Sequence, residues 1–306
     1  FLTKGLMVTG IIILLSSICT YFISRQALLP LRRLSQEVNQ IEVQNLSEAL
    51  EVPATNDEIS RLTISFNKML ARLDEAFTAQ KQFSANAAHE LRTPLAVIQT
   101  NLEVFARREA PALKDYQEIF AMLQEQTGRL SHLAEILLDM TGVQTIERSE
   151  RISLAALTDE VFCDLASVAE QKDVELIQQE GDCIITGSYL LLYRAVYNLV
   201  ENAIKYNHSG GKVTVNTHLS EEITDTSTSV NYVFLEVSDT GIGIPPEYQE
   251  KIFTPFFRVD KSRSRAMGGA GLGLALVSEI VRQHNGQVKV LESSKKGSVI
   301  AIMLPV

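Results

Sequence analysis

"SYLLLYRAVYNLVENAIKYN", residues 188–207, reads as one helix with two unlike sides. Leu192, Val196, Leu199 and Ala203 recur at steps of four, three and four, an apolar stripe that a helix buries. Beside it run Arg194, Asn198, Asn202 and Lys205, at steps of four, four and three. A solvated face is the ordinary reading of such a row. Asparagine, however, is roughly several tenths of a kcal/mol worse than alanine inside a helix. Two of them in register need a reason. Amide oxygens on one face suit a magnesium ion, which takes oxygen ligands and stays bound to substrate phosphates.

The next signal lies downstream. The alternating runs "KVTVNTHL" and "YVFLEVSD" predict paired strands, with "SEEITDTSTSVN" as a solvated hairpin loop between them. The second strand ends in "DTGIGIP", so Asp239 projects at a strand end while Gly241 and Gly243 let the backbone turn and approach a ligand. Then "FTPFFRVDKSRSRAMGGAGLGLALV" brings Gly268, Gly269, Gly271 and Gly273 into a helix whose seam is Leu274, Val277, Val281 and His284. Backbone amides at a helix start favour phosphate. Arg258, Lys261, Arg263 and Arg265 add positive charge just before it. The Walker and dinucleotide patterns are absent, because neither the lysine nor the glycine spacing is present.

Around these pieces the chain predicts a strand at "RISL", a helix over 155–171, short strands at 174–178 and 184–186, and two closing strands. "HNG" ends the last helix, with Gly286 as the expected cap.

Upstream, "FSANAAHELRTPLAVIQT", residues 83–100, puts His89, Glu90, Thr93 and Pro94 into a turn and a half of helix. Proline there removes a backbone bond and costs about 3 kcal/mol. Thr93 lies four residues from His89, on the same face. Successive side chains point about 100° apart, so spacing alone does not pair Glu90 with His89. The helical pattern runs to Arg108, breaks at "EAPA", and resumes from about Leu113 to Met140 with Tyr116, Phe120, Leu123, Leu130, Leu133 and Leu137 as its stripe. Two helices with narrow stripes predict an antiparallel hairpin that completes a four-helix bundle with a second chain.

The N-terminal part fixes a location. "GLMVTGIIILLSSICTYFIS", residues 5–24, carries no charge over about the length that crosses a bilayer as a helix. Arg25, Arg32 and Arg33 follow it, so the tail is expected on the cytoplasmic side. Leu31, Leu34, Val38 and Ile41, then Ile59, Leu62, Phe66, Met69, Leu73 and Phe77, form an interrupted heptad seam. The chain opens at Phe1 rather than methionine, and a preceding segment is expected. A net charge of −9 argues against direct nucleic-acid binding. Cys19, Cys163 and Cys183 lack metal-ligand spacing and read as thiols in a reducing compartment. His132, His208, His218 and His284 also lack ligand spacing, and no chemical role is expected of them.

In this order "NLVENAIKYN", "DTGIGIP", "FTPFFR" and "GGAGLGLALV" resemble the N, first glycine, F and second glycine boxes of the Bergerat-type ATP-binding fold. With "FSANAAHELRTPL" ahead of them, the chain resembles sensor histidine kinases of two-component systems over roughly residues 25–306. The juxtamembrane seam, with Pro30 early and Glu58 opening its second helix, resembles a HAMP linker.

The resemblance implies a multidomain chain, in which a transmembrane helix and α-helical dimeric bundles precede an α/β sandwich. The divisions would be 1–24 membrane helix, 25–78 HAMP linker, 79–143 dimerisation and phosphotransfer hairpin, and 144–306 ATP-binding domain. It implies ATP and Mg2+ as ligands, with Asn202 and Asn198 at the metal and Lys205 and Tyr206 at the nucleotide. Asp239 would accept the adenine amine in a pocket shaped by Gly241 and Gly243. Arg258, Gly269, Gly271, Leu272 and Gly273 would border the phosphates, with 245–270 as a lid. His89 would be the phosphorylated nucleophile, Glu90 its proton partner, Arg92 a phosphate contact and Thr93 a positioner of water in dephosphorylation. The implied partners are a second copy of the chain and the aspartate of a response regulator.

Two positions depart from the family pattern. Ala88 and Ala270 stand where hydroxyl residues are common, so hydroxyl contacts are not expected there. An ATPase of the gyrase, mismatch-repair or chaperone kind, with Glu201 as base, stays open as an alternative, as does a phosphatase-dominated scaffold.

Overall fold

The computed structural model describes residues 12–22, 24–25, 31, 34–36, 38, 48–53, 58–142, 147–179, 181–223, 229–259 and 270–306. Two compact units divide between Ser84 and Ala85.

In the first unit, residues 12–22 are helical and exposed. Among the described residues no helix is long and apolar enough to cross a membrane. Most of the first half of the charge-free run, residues 5–11, lies outside them. Leu34, Leu50 and Leu70 make a small core on which Val38, Ile59 and Phe66 pack. The link before helix α1 (Glu58–Ala106) is fastened to it by side chains. Asn67 accepts from the Leu50 amide and donates to the Leu50 carbonyl, both at 2.9 Å. The heptad seam is thus met only in part. Ile59 and Phe66 turn inward, whereas Leu62, Met69, Leu73 and Phe77 are exposed and Thr63 and Leu70 are buried instead. Ile41 lies outside the described residues.

In the second unit, α1 continues through Pro94 and meets α2 (Leu113–Gly142). Phe105 packs edge-on against Tyr116 at 5.0 Å, and Arg108 pairs with Asp115 across the connection. Of the expected α2 stripe, Leu133 is buried and Leu123, Leu130 and Leu137 are half-buried. Phe120 is 62% exposed and Tyr116 42%, while Ile119, Met122, Gln126 and Ile136 join the inward side. The helix carries two apolar faces, and a single-face reading merges them.

The α/β part begins with β1 (Glu150–Ser153) and α3 (Leu154–Lys172), capped by Ser153, which accepts from the Ala156 amide. There follow β2 (Val174–Gln178), β3 (Ile184–Gly187), α4 (Tyr189–Lys205), β4 (Gly211–Ile223), β5 (Ser229–Asp239), α5 (Gly273–Gln283), β6 (Gln287–Ser294) and β7 (Gly297–Pro305). The main sheet runs β2-β4-β5-β7-β6, parallel only at β2/β4, and β1 pairs with β3. Val213 and Val215 on β4, and Val233, Leu235 and Val237 on β5, alternate into the core. Helices α3, α4 and α5 contact the strands in turn, α3 at β2 and α5 at β6. Tyr189 and Tyr193 on α4 donate to Glu160 and Asp164 of α3.

Two local expectations change. The β4/β5 hairpin runs on to Ile223 and Ser229, so most of the predicted loop is strand. At the end of α5 the left-handed residue is Asn285, φ 56°, not Gly286. Gly286 is required by proximity, because a Cβ there would sit 2.3 Å from the Met303 carbonyl. Of the cysteines, Cys183 is buried, while Cys19 and Cys163 are exposed.

Candidate functional site

A cavity of about 540 Å³ opens where the end of α4, the loop after β5 and the start of α5 meet. That is a size that takes a nucleotide-class ligand. Asn198, Asn202, Lys205, Tyr206, Asp239, Gly243, Arg258, Gly271, Leu272 and Gly273 all line it. Gly241 stands beside its rim, where a Cβ would lie 2.4 Å from the Tyr206 carbonyl. Gly269, with Lys261, Arg263, Arg265 and Gly268, lies outside the described residues.

The asparagine row is held by the core stripe beneath it, because Leu192, Val196 and Leu199 are buried. Asn198 donates its amide to the Arg194 carbonyl at 2.8 Å. A Cβ on Gly273 would come within 2.5 Å of the Asn198 amide oxygen. A side chain at residue 273 would therefore have to push the Asn198 amide out of its place. Arg194 itself pairs with Asp139 of α2. Among the described residues no group of His, Cys, Asp and Glu could hold a metal by itself. Amide oxygens completed by substrate phosphates fit magnesium better than a protein cage does.

One turn further, burial holds the Lys205 ammonium below the usual lysine value; Glu201 opposes that, and Arg258, Arg129 and Lys172 reinforce it. Lys205 thus stands among three cations and one carboxylate, an arrangement that an anionic ligand would relieve.

At the far end Asp239 is fixed on both oxygens. It accepts from the Gly241 amide at 2.7 Å and from the Ser298 hydroxyl at 2.6 Å. Ile244 donates its amide to the Ser293 hydroxyl at 2.6 Å. Gly243, φ 70°, and Gly297, φ 131°, close this corner: a Cβ on either would meet a carbonyl oxygen at 1.8 Å. These are backbone collisions that no rotamer relieves. Ser293 and Ser298 escape sequence reading, since each lies about 50 to 60 residues from its partner and inside an ordinary strand.

The wall also contains His132 and Ile136 of α2. No role was expected of His132, yet its helix closes the cavity. Phe256 adopts φ 64°, an unusual conformation for a bulky residue. Its amide donates to the Gly271 carbonyl at 2.8 Å. That bond ties the segment carrying Arg258 to the glycine loop. Arg258 lines the cavity, and its side chain, 7% exposed, has Nη1 3.9 Å from Oε1 of Glu90 on α1.

On α1, His89, Arg92 and Thr93 are exposed, Glu90 is half-buried and Pro94 is buried. The Thr93 hydroxyl donates to the His89 carbonyl at 3.1 Å, on the same face as the imidazole. His284 is buried and structural: its Nε2 accepts from the Ser188 amide at 3.1 Å and its Nδ1 meets the Ile280 carbonyl at 2.8 Å.

Three family patterns match in series. They are the HAMP domain at 22–75, the His Kinase A (phospho-acceptor) domain at 79–145, and the Histidine kinase-, DNA gyrase B-, and HSP90-like ATPase at 187–306. The chain is similar to sensor histidine kinase CusS of Escherichia coli, 31% identical over 90% of this chain and 56% of that one. It is also similar to signal transduction histidine-protein kinase ArlS of Staphylococcus aureus, 30% identical over 95% of this chain. It spans 56% and 63% of the lengths of those two relatives. Histidine kinase AdeS of Acinetobacter baumannii superposes with a TM-score of 0.54 at 23% identity, covering 71% of this chain and 97% of that one. Histidine kinase ThkA, solved in complex with response regulator protein TrrA, superposes with a TM-score of 0.59 at 21% identity, covering 81% and 68%. These two superpositions establish a shared fold.

Proposed function

This chain belongs to the sensor histidine kinases of bacterial two-component systems, and from that premise we propose that it transfers the γ-phosphate of ATP to its own His89 and then to an aspartate of a response regulator. The observation that carries the reading is the convergence of Asn198, Asn202, Lys205 and Asp239 on one cavity, with a cavity arginine reaching the residue beside His89. Asp239 keeps a lone pair on each oxygen for the adenine amine. Asn202 and Asn198 would hold Mg2+, which supplies charge neutralisation on the phosphates when bound. Lys205 and Tyr206 would border the nucleotide, and the phosphates would face the amides of Gly271, Leu272 and Gly273 at the start of α5.

In the transfer a neutral ring nitrogen of His89 forms the bond to phosphorus as the bond to the ADP oxygen breaks. Glu90 accepts the hydrogen bond of the other ring nitrogen and stabilises the positive charge that develops there. Arg92 steadies the phosphoryl group. In the reverse signal the Thr93 hydroxyl leaves the His89 carbonyl and orients water at the regulator's phospho-aspartate.

The proposed setting is a homodimer anchored in the cell membrane by residues 1–24, with residues 25–78 as linker, 79–143 as hairpin and 144–306 as ATP-binding domain on the cytoplasmic side. The HAMP match and the uncovered apolar faces of α1 and α2 support it.

The test is incubation with γ-labelled Mg-ATP. Acid-labile label on the chain is expected, and His89→Gln should abolish it while nucleotide binding persists. Release of labelled phosphate with no labelled protein would favour the ATPase reading, in which Glu201, also in the cavity wall, activates water.

A further inference from the structure

Arg258 borders the cavity on one side and a carboxylate on the other. Its side chain lines the cavity and is 7% exposed, and its Nη1 faces Glu90 Oε1 at 3.9 Å, where the Glu90 side chain is itself only 20% exposed. It is also one of the cations that press on Lys205. The segment that bears it is pinned to the phosphate-facing loop by the Phe256–Gly271 bond. A guanidinium in that position follows the larger negative charge, and a triphosphate exceeds one carboxylate in charge and in acceptor oxygens.

We infer that Arg258 is a latch on Glu90 that nucleotide opens. With the cavity free of phosphate, Arg258 holds the Glu90 carboxylate and keeps it from the imidazole of His89. Phosphate draws the guanidinium into the cavity and leaves Glu90 free to accept the His89 N–H. The nucleophile's proton partner is thereby made available only when there is something to attack. This rests on the reading of the cavity as an ATP site.

The latch has a binding signature that needs no turnover. Glu90 and nucleotide compete for one guanidinium, so by reciprocity Glu90 must hold down the affinity for ATP. The experiment measures affinity for Mg-ATP and for adenosine by calorimetry on the full chain in detergent, for wild type, Glu90→Gln, Arg258→Ala and the double variant. Glu90→Gln should tighten ATP by about fivefold and leave adenosine unchanged, because adenosine has no phosphate to offer. Arg258→Ala should weaken ATP, and adding Glu90→Gln to it should change nothing further. An ATP affinity unmoved by Glu90→Gln, an equal gain for adenosine, or the same gain without Arg258 would each overturn the latch while leaving the ATP site standing. Wild type that binds neither ATP nor adenosine would overturn both readings.

Discussion

The helical hairpin and the α/β domain are built from much the same apolar residues and close themselves differently. In the α/β domain α4 buries both flanks, with Leu191, Ala195 and Val200 hidden as fully as Leu192, Val196 and Leu199. Its exposed large residues, such as Ile184, Leu190 and Leu219, are scattered. In the hairpin, Leu95, Leu102 and Val104 on α1 and Phe120 and Leu138 on α2 are between 43% and 69% exposed. One region is finished by its own chain. The other has a second apolar side that a single copy cannot cover, and water-facing apolar faces of that size mark an interface.

The largest test of this difference charges the uncovered side. Leu102→Glu with Phe120→Glu should shift the chain from dimer to monomer in sedimentation of the detergent-solubilised protein. The dissociation constant should rise by roughly 10⁴-fold or more, from losing about 1.5–3 kcal/mol at each of the four side chains, two per copy, that the dimer buries. The thermal transition of the α/β domain should not move. Monomeric wild type would break the comparison.

A converse substitution lies in the finished core. Leu276 on α5 is 1% exposed, and Leu276→Ala should cost the α/β domain about 2–5 kcal/mol in urea unfolding. The dimer constant should stay the same. A fall in dimerisation as well would mean that the two regions fold as one.

The smallest effect is a pH dependence confined to the α/β domain. Burial lowers the His284 pKa from its ordinary value of 6.5, against the bond to Ile280, which raises it. The unfolded state then binds the proton more readily, so stability is full above 6.5 and is lost as pH falls towards the depressed folded value. His284→Ala should remove that acid slope and leave the Ser188 amide without its acceptor, at a cost of about 1–3 kcal/mol at neutral pH. Melts from pH 8 to 5 compare the two. An unchanged slope in the variant would assign the acid loss to other groups.

The α/β elements were readable because each carries its own period. The strand pair at Val213–Val237 alternates, and α4 and α5 hold stripes bounded by turn residues. The two amphipathic faces of α2 were not separable, since Phe120 and Leu133 look equally apolar until a partner helix chooses between them. The asparagine row, Asp239 and the glycines could be picked out for the same local reason. Their supports could not. Ser298 meets Asp239 across strands, His132 enters the cavity wall from another helix, and the Arg258–Glu90 contact spans more than half of the described chain. Sequence periodicity reports what one element does to its own side chains and is silent on which distant element comes to meet them.

The closed corner at Asp239 also matters to anyone seeking to block the chain. With Gly241 and Ser298 already bonded to the carboxylate, and Gly243 and Gly297 packed against carbonyls, little of this corner has to be ordered when a compound arrives. A small fragment that offers an amine to Asp239 would keep most of its contact energy as affinity, because preorganised sites save the cost of arrangement. Resistance by substitution at Gly243 or Gly297 would disturb the anchor proposed for adenine as well, so this corner is the place from which to grow an inhibitor.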